Sequence, residues 1–355
     1  MKNRSNIKKV FSLILVFSLI MSLMVGCGSK KSESTATSKS TSTKKVSFKD
    51  GINRDIELDK PAEKIVVFSP CLNYVCALNA QDKIVGVGTK KSIEAKLVKK
   101  LIPNIEKIPD CVGSTKTPNI EQIMSLKPDL VIISEKSKGN LDVLEKSGLK
   151  VFVAKGEDIE GLKDTISNLG IALGKEDKGK EFVKYYDDNI SKIKDKVKNV
   201  KNEEKLKVYF AGSDILNTCS KNMYQNFIID VAGGKNVSAE LSGSRWVKVS
   251  PEQILKWNPD VIFIPQYSKT TKVEDVLKSE KWKNISAVKN KKVYSFPSNL
   301  ISWDYPSAQA ILGVMWTAKI INPEVFKDMD VEKEADNFFK EFFGKGFKEL
   351  GGKIN

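Results

Sequence analysis

The chain has 355 residues and a formal charge of +15, from 59 Lys and Arg against 44 Asp and Glu, with no histidine. Without imidazole there is no Ser-His-Asp or Cys-His activation of a nucleophile, and most zinc and bare transition-metal sites lose their usual ligands. The basic residues are interspersed with acids and form no basic-aromatic nucleic-acid module, so the charge reads as a solvated lysine-rich surface before it reads as an anion trap.

The N-terminus carries Lys2, Arg4, Lys8 and Lys9, then an apolar run from Val10 to Val25, then Gly26-Cys27. That run is shorter than the roughly 20 residues of a spanning helix. Its order matches a secretory leader with a lipobox, in which a small residue precedes a Cys that is acylated and becomes the new terminus. Met24 stands where Leu is more usual. The expectation is a signal peptide over 1–26, lipidation of Cys27, and a body held at the outer face of the cytoplasmic membrane. Residues 27–45 are nearly all Ser, Thr, Lys and Gly, a flexible tether with nothing apolar to bury.

Val46 to Phe48, Asp50-Gly51 and Arg54 to Leu58 read as a hairpin with Asp-Gly as its turn. Apolar strands follow at Ile65 to Phe68, Ile84 to Val87, Leu130 to Ile133 and Val151 to Ala154, with helical patterns between them. This alternation predicts α/β units on a largely parallel sheet. From 161 to 204 it stops: Phe182, Tyr185, Tyr186, Ile190 and Ile193 at helical spacing predict one or two helices ending in a long amphipathic one. Strands resume at Lys207 to Phe210, Val261 to Ile264 and Lys292 to Phe296, and helices are expected near 308–320 and 331–343. The predicted organisation is a first lobe over 46–160, a helical connector over 161–204, and a second lobe over 205–355. Cys71, Cys76, Cys111 and Cys219 lack Cys-x-x-Cys spacing, which leaves both a disulfide and free buried thiols open.

One pattern occurs twice: I-E-Q-I-M-S-L-K-P-D-L-V-I-I from Ile120 and P-E-Q-I-L-K-W-N-P-D-V-I-F-I from Pro251, 131 residues apart. Each copy predicts a short helix, a Pro-Asp break and a buried strand, because Pro forces the residue before it out of helical geometry. Two copies of one unit imply two similar lobes with a cleft between them. Asn119 and Ser250 stand as N-caps, Glu121 and Glu252 fall in the first turn where a carboxylate favours the helix dipole, and Gln122 and Gln253 complete a capping-box pattern.

The duplicated E-Q-I-x4-P-D motif, the opening F-K-D-G-x-N-R-D-I-x-L-D-K-P-A-E-K-I-V-V and W-D-Y-P-S-A-Q-A-I-L-G-V-M-W-T-A-K together resemble the substrate-binding lipoproteins of ABC importers. Within these, the match is to the helical-backbone class that takes up iron-siderophores, haem and cobalamin. The resemblance spans nearly everything from Val46 to Phe343. It implies two α/β lobes, each with a central parallel sheet flanked by helices, joined by one long backbone helix. It further implies no catalysis or resident cofactor, a monomeric receptor, and delivery of cargo to a permease dimer with its ATPase. Glu121 and Glu252 would dock on permease arginines.

The cleft is expected at loops following the C-terminal ends of the strands, around 69–74, 113–116, 242–246 and 302–305. Arg245 beside Trp246 offers a fixed cation and a flat face, and Trp303, Asp304 and Tyr305 a second wall, with Tyr74, Lys116 and Tyr224 as further candidates. Trp257, Trp282 and Trp316 read as packing. A ferric siderophore chelate is the first expectation, then cobalamin, then haem, which would need Met, Tyr or Cys as axial ligand; molybdate or a nickel chelate stays open. A secreted hydrolase using Ser69 or Cys71 lacks a G-x-S-x-G elbow and its histidine, and an envelope adhesin would not explain the paired lobes.

Overall fold

A computed structural model describes residues 45–88, 95–113, 117–243 and 245–354. The leader, the tether with Cys27, and Lys116 lie outside them. The chain opens with the antiparallel hairpin β1 (Val46–Lys49) and β2 (Asp55–Leu58). Its connection is longer than an Asp-Gly turn, since Lys49 pairs with Asp55. The Asp50 carboxylate organises it, accepting from the Ile52 and Arg54 N–H groups at 3.0 Å and from the Arg54 guanidinium at 2.7 Å. Gly51 donates to the Val153 carbonyl at 2.7 Å, so close that a Cβ would fall 2.4 Å from the Lys155 nitrogen.

The first lobe contains β3 (Ile65–Phe68), α1 (Leu72–Ala77), β4 (Ile84–Gly88), α2 (Ala95–Leu101), α3 (Ile120–Ser125), β5 (Leu130–Ser134), α4 (Leu141–Lys146) and β6 (Val151–Ala154). A hairpin of α5 (Ile159–Ala172) and α6 (Glu176–Val197) follows. The second lobe contains β7 (Lys207–Phe210), β8 (Asn217–Thr218), α7 (Tyr224–Val231), β9 (Lys235–Asn236), β10 (Val247–Lys248), α8 (Pro251–Trp257), β11 (Val261–Pro265), α9 (Val273–Lys278), α10 (Ser286–Lys289) and β12 (Val293–Phe296). The chain ends with α11 (Ala310–Ile321) and α12 (Val331–Phe343).

Both four-stranded sheets are parallel, in the orders β4-β3-β5-β6 and β9-β7-β11-β12. In each lobe the second strand lies outside the first, and the third and fourth follow on its other side, so the topology itself is repeated. The pleat repeats as well. Leu130 and Ile132 face one continuous core shared by both lobes, as do Val261 and Phe263, while Val131, Ile133, Ile262 and Ile264 face the outer helices of their own lobes. A strand buried on both faces must be apolar throughout, and this is why both copies end in unbroken hydrophobic runs.

The Pro-Asp break has its own task. Lys127 and Asn258, again 131 residues apart, end their helices at φ 49° and 44°. Asp129 Oδ2 then accepts from the Glu63 and Lys64 N–H groups at 2.8 and 2.9 Å, and Asp260 Oδ2 accepts from the Lys207 N–H at 2.9 Å. Each Asp thus pins the start of the central strand of its lobe.

Helix α6 has 22 residues, about 33 Å of helix. It packs tightly on α5 where Gly170 and Gly179 meet, a Cβ on Gly170 lying 3.4 Å from the Gly179 Cα. Phe182 of α6 meets Phe342 of α12 at 5.3 Å between ring centroids. The C-terminal segment therefore packs on the backbone helix as well as on the second lobe. It also reaches the first, where Lys345 Nζ donates to the Lys100 carbonyl at 3.4 Å. Cys71, Cys76, Cys111 and Cys219 are buried and unbridged, and burial pushes the Cys219 thiol up to about 12.

Candidate functional site

A helix that precedes a parallel strand runs opposite to it, so its N-terminus lies beside the strands' C-terminal ends, where open α/β sheets place their ligands. Hydrogen bonds fix this in both lobes. The Cys111 N–H donates to the Val87 carbonyl at the end of β4, and the Asn119 N–H donates to the Cys111 carbonyl, at 2.7 and 2.8 Å. In the second lobe, β8 and β10 form a small ribbon beyond β7, and the Val249 N–H donates to the Leu216 carbonyl at 2.8 Å just before Ser250. Glu121 and Glu252, both exposed, thus start their helices on the strand-end side of their sheets. The caps form as expected, with Asn119 Oδ1 accepting from the Gln122 N–H and Ser250 Oγ from the Gln253 N–H, each at 3.2 Å. The box is not closed by Gln122, because the cap's own N–H is already given to Cys111. The Glu252 carboxyl is held below its usual range by its own backbone N–H and by Ser250.

Between the lobes lies a cavity of about 350 Å³, lined by Gln266, Tyr267 and residues 298–302 of the second lobe and by Lys96 of the first. Lys96 Nζ reaches across to the Asn299 carbonyl at 3.1 Å. Nearby, Lys136 Nζ of the first lobe stands 5.6 Å from the centre of the Tyr305 ring and 2.9 Å from Glu157.

Behind the cavity, residues 304–310 form a strap gripped from three sides. The first lobe supplies Tyr74, whose hydroxyl donates to the Pro306 carbonyl at 3.2 Å, and Asn73, whose Oδ1 accepts from the Ala308 N–H at 3.1 Å. Helix α6 supplies Tyr186, donating to the Ala308 carbonyl at 2.8 Å. Helix α7 supplies Tyr224, donating to the Ala310 carbonyl at 2.8 Å, and Gln225, whose Nε2 donates to the Asp304 carbonyl at 2.9 Å.

This geometry corrects several expectations. Tyr74 and Tyr224 are buried and spend their hydroxyls on the strap, so they are junction residues and not a cleft lining. Trp303 is fully buried against Phe347, with ring centroids 5.6 Å apart, and anchors the loop in the core; it is no cleft wall. Asp304 is also buried. Its carboxylate accepts from the Ser302 hydroxyl and, at 3.2 Å, from the Tyr267 hydroxyl, and burial pushes it up to about 6. It positions Tyr267 and does not face the cavity as a free carboxylate. Polar loop composition misled here, because the loop dives between α11 and the C-terminal segment.

Tyr305 is half-buried at the lobe boundary, and burial raises its hydroxyl pKa. Arg245 is exposed and outside the cavity lining. Trp246 is half-buried over Phe210 at 6.5 Å and against Gly212, so one of its faces is already covered. Lys96, Lys136, Gln266 and Tyr267 were not anticipated. Gln266 and Tyr267 directly follow the second repeated strand and were findable from the strand-end rule, whereas the two lysines carry no signal in so lysine-rich a chain.

Two lobes of repeated topology meet at a cleft beside a long helix, an architecture shared with solute-binding proteins. The periplasmic binding protein family model matches residues 66–300, and the chain belongs to that family. It is 31% identical to YvrC, an ABC transporter substrate-binding lipoprotein of Bacillus subtilis, over 92% of this chain and all of the relative. It is 29% identical to the molybdate-binding protein MolA of Haemophilus influenzae, over 86% of this chain and 90% of MolA. Among solved structures, a periplasmic solute binding protein from Veillonella parvula superposes with a TM-score of 0.75 at 26% identity, covering 87% of this chain and 99% of that one. MolA bound to molybdate gives 0.71 at 26%, covering 84% and 98%. The chain is a substrate-binding protein of an ABC importer, and members of this class bind a solute and deliver it to a permease.

Proposed function

We propose that this chain is a lipid-anchored receptor whose cargo is an anionic metal-containing species, held where the lobes meet. The observation that carries the reading is the cavity of residues 298–302 and Tyr267 with Lys96 closing it from the opposite lobe. The Lys96 ammonium and the Gln266 amide suit an anion, while the Tyr267 and Ser302 hydroxyls already donate to Asp304 and the Ser298 hydroxyl to the Ile301 carbonyl. The chain has no histidine with which to strip a bare metal ion. A ferric siderophore-type chelate remains the first reading, with Tyr267 and Tyr305 as its aromatic contacts. Molybdate is the second, favoured by the similarity to MolA and by a volume near the lower end of the roughly 300–1,000 Å³ of ligand pockets. Cobalamin and haem fall behind; for haem, the burial of Tyr74, Tyr224 and the described cysteines leaves Tyr267 and Tyr305 as the tyrosine candidates for an axial ligand.

The test is tryptophan fluorescence titration with a ferric catecholate, ferric citrate, molybdate, cyanocobalamin and haem. Saturable one-to-one binding of an anion is expected. Binding of cobalamin alone would overturn the reading. Cys27 is the lipidation site in this proposal, and Cys27→Ser should leave the protein unprocessed or released from the membrane. Glu121 and Glu252 are the permease contacts, one on each lobe, both at the mouth through which cargo must leave.

A further inference from the structure

Few large apolar side chains stand in solvent among the described residues: Met124 at 50% exposure, Val143, Leu255 at 38%, Tyr267 and Val325. Two of the five, Met124 and Leu255, occupy the same position in the two copies of the repeat, 131 residues apart. The coincidence extends to their surroundings. Residues 120–126 and 251–257 have the same order of half-buried, exposed and buried positions, with Ile123 and Ile254 turned into the core. Each exposed apolar residue follows the exposed glutamate by three positions, and on a helix residues three apart are neighbours on one face, with Cβ atoms about 5–6 Å apart. An isolated exposed Leu or Met needs no explanation. A matched pair, each beside a matched carboxylate, does.

We infer that Met124 and Leu255 are the apolar halves of two equivalent docking studs, Glu121 with Met124 and Glu252 with Leu255, which seat in a pair of apolar pockets rimmed by cations on the ABC permease. The inference rests on the glutamate docking reading and adds to it the residues that bury area. The duplicated topology presents the studs as a related pair, and a permease made of two like subunits offers two like pockets. The carboxylate next to each stud matches a guanidinium or ammonium rim, and the neighbouring apolar side chains exclude water from that contact and strengthen it. The exposed Lys127 and Lys256 would themselves be drawn to anionic headgroups, which makes lipid the competing occupant that the vesicle arm tests.

The experiment uses the full lipoprotein and the ABC permease, in nanodiscs, whose ATPase the wild-type receptor stimulates. Met124→Ser and Leu255→Ser should each weaken receptor–permease association about tenfold, the double variant more, with cargo affinity and the salt dependence of association unchanged. Glu121→Gln and Glu252→Gln form the second arm and should weaken association while flattening its salt dependence. If the glutamate variants weaken association and the serine variants do not, the apolar studs are refuted and the glutamate reading stands. If neither set weakens it, both fall. If empty vesicles of phosphatidylglycerol and phosphatidylethanolamine bind wild type but not the serine double variant, the studs face lipid, and the permease assignment is overturned.

Discussion

After β6 the first lobe enters its next helix through residues 155–158, whereas after the equivalent strand β12 the second lobe runs through 297–309 before α11 begins. The short connection ends in Asp158, an exposed cap whose Oδ1 accepts from the Gly161 N–H at 2.7 Å. The long one holds the buried Asp304, the cavity lining and the strap that joins both lobes to α6. The repeated part builds the scaffold and its matched outer surface. Among the described residues, the unrepeated insertion supplies residues 298–302 of the cavity lining, Gln266 and Tyr267 come from the end of β11, and the first lobe supplies Lys96.

The largest expected effect tests the repeated part. Asp129 holds two backbone N–H groups and Asp260 one, and a hydrogen bond to a charged group contributes about 1.5–3 kcal/mol. Asp129→Ala should therefore lower unfolding stability by about 4 kcal/mol and Asp260→Ala by about half that. Urea denaturation of the cargo-free protein measures both. Equal losses would mean that the two clamps are equivalent despite their different bond counts.

The next effect belongs to the insertion. Burial holds the Asp304 carboxyl near 6 in the folded protein against an ordinary value near 3.8. The folded state thus keeps a proton that the unfolded chain releases, and the protonated form's advantage is complete below the unfolded value. Stability should fall as pH rises from about 4 to about 6 and then level off, losing about 3 kcal/mol across that window. Asp304→Asn should remove most of the fall, while Asp158→Asn, at the matching connection of the first lobe, should leave it in place. A pH–stability curve that Asp304→Asn does not alter would show that this carboxyl does not titrate in that window.

Much of the scaffold was legible because its signals are local. The strands Ile65–Phe68, Leu130–Ser134 and Val261–Pro265 are buried on both faces, the last two directly follow a Pro-Asp break, and the caps at Asn119 and Ser250 follow from residue type alone. What was not legible depends on packing between distant segments. Nothing in W-D-Y-P-S-A-Q says that Trp303 will meet Phe347, or that the carbonyls of Pro306, Ala308 and Ala310 will be taken by tyrosines from three other elements. The ribbon of β8 and β10 has two residues per strand, too few to leave a period. Lys96 acquires a role only through the opposite lobe.

The smallest effect separates the lobes' contributions to binding. Sequence alone made Arg245 the leading cation, but the structure leaves it exposed beyond the cavity lining, while Lys96 closes the cavity from the other side. A rim charge acts chiefly by steering the encounter, and at physiological ionic strength its field decays over about 8 Å. Arg245→Ala should therefore weaken binding of an anionic cargo only about twofold, through the association rate, with the effect gone at high salt. Lys96, itself exposed, lines the cavity and would contact cargo there, so Lys96→Ala should weaken binding about fivefold, with a loss that shrinks but persists at high salt. Stopped-flow binding of the preferred anion at low and high salt distinguishes the two. If Arg245→Ala proved the more damaging at both, with the loss in the dissociation rate, the 242–246 loop would have to fold onto the cargo, and the second lobe would supply both the cavity and its cation.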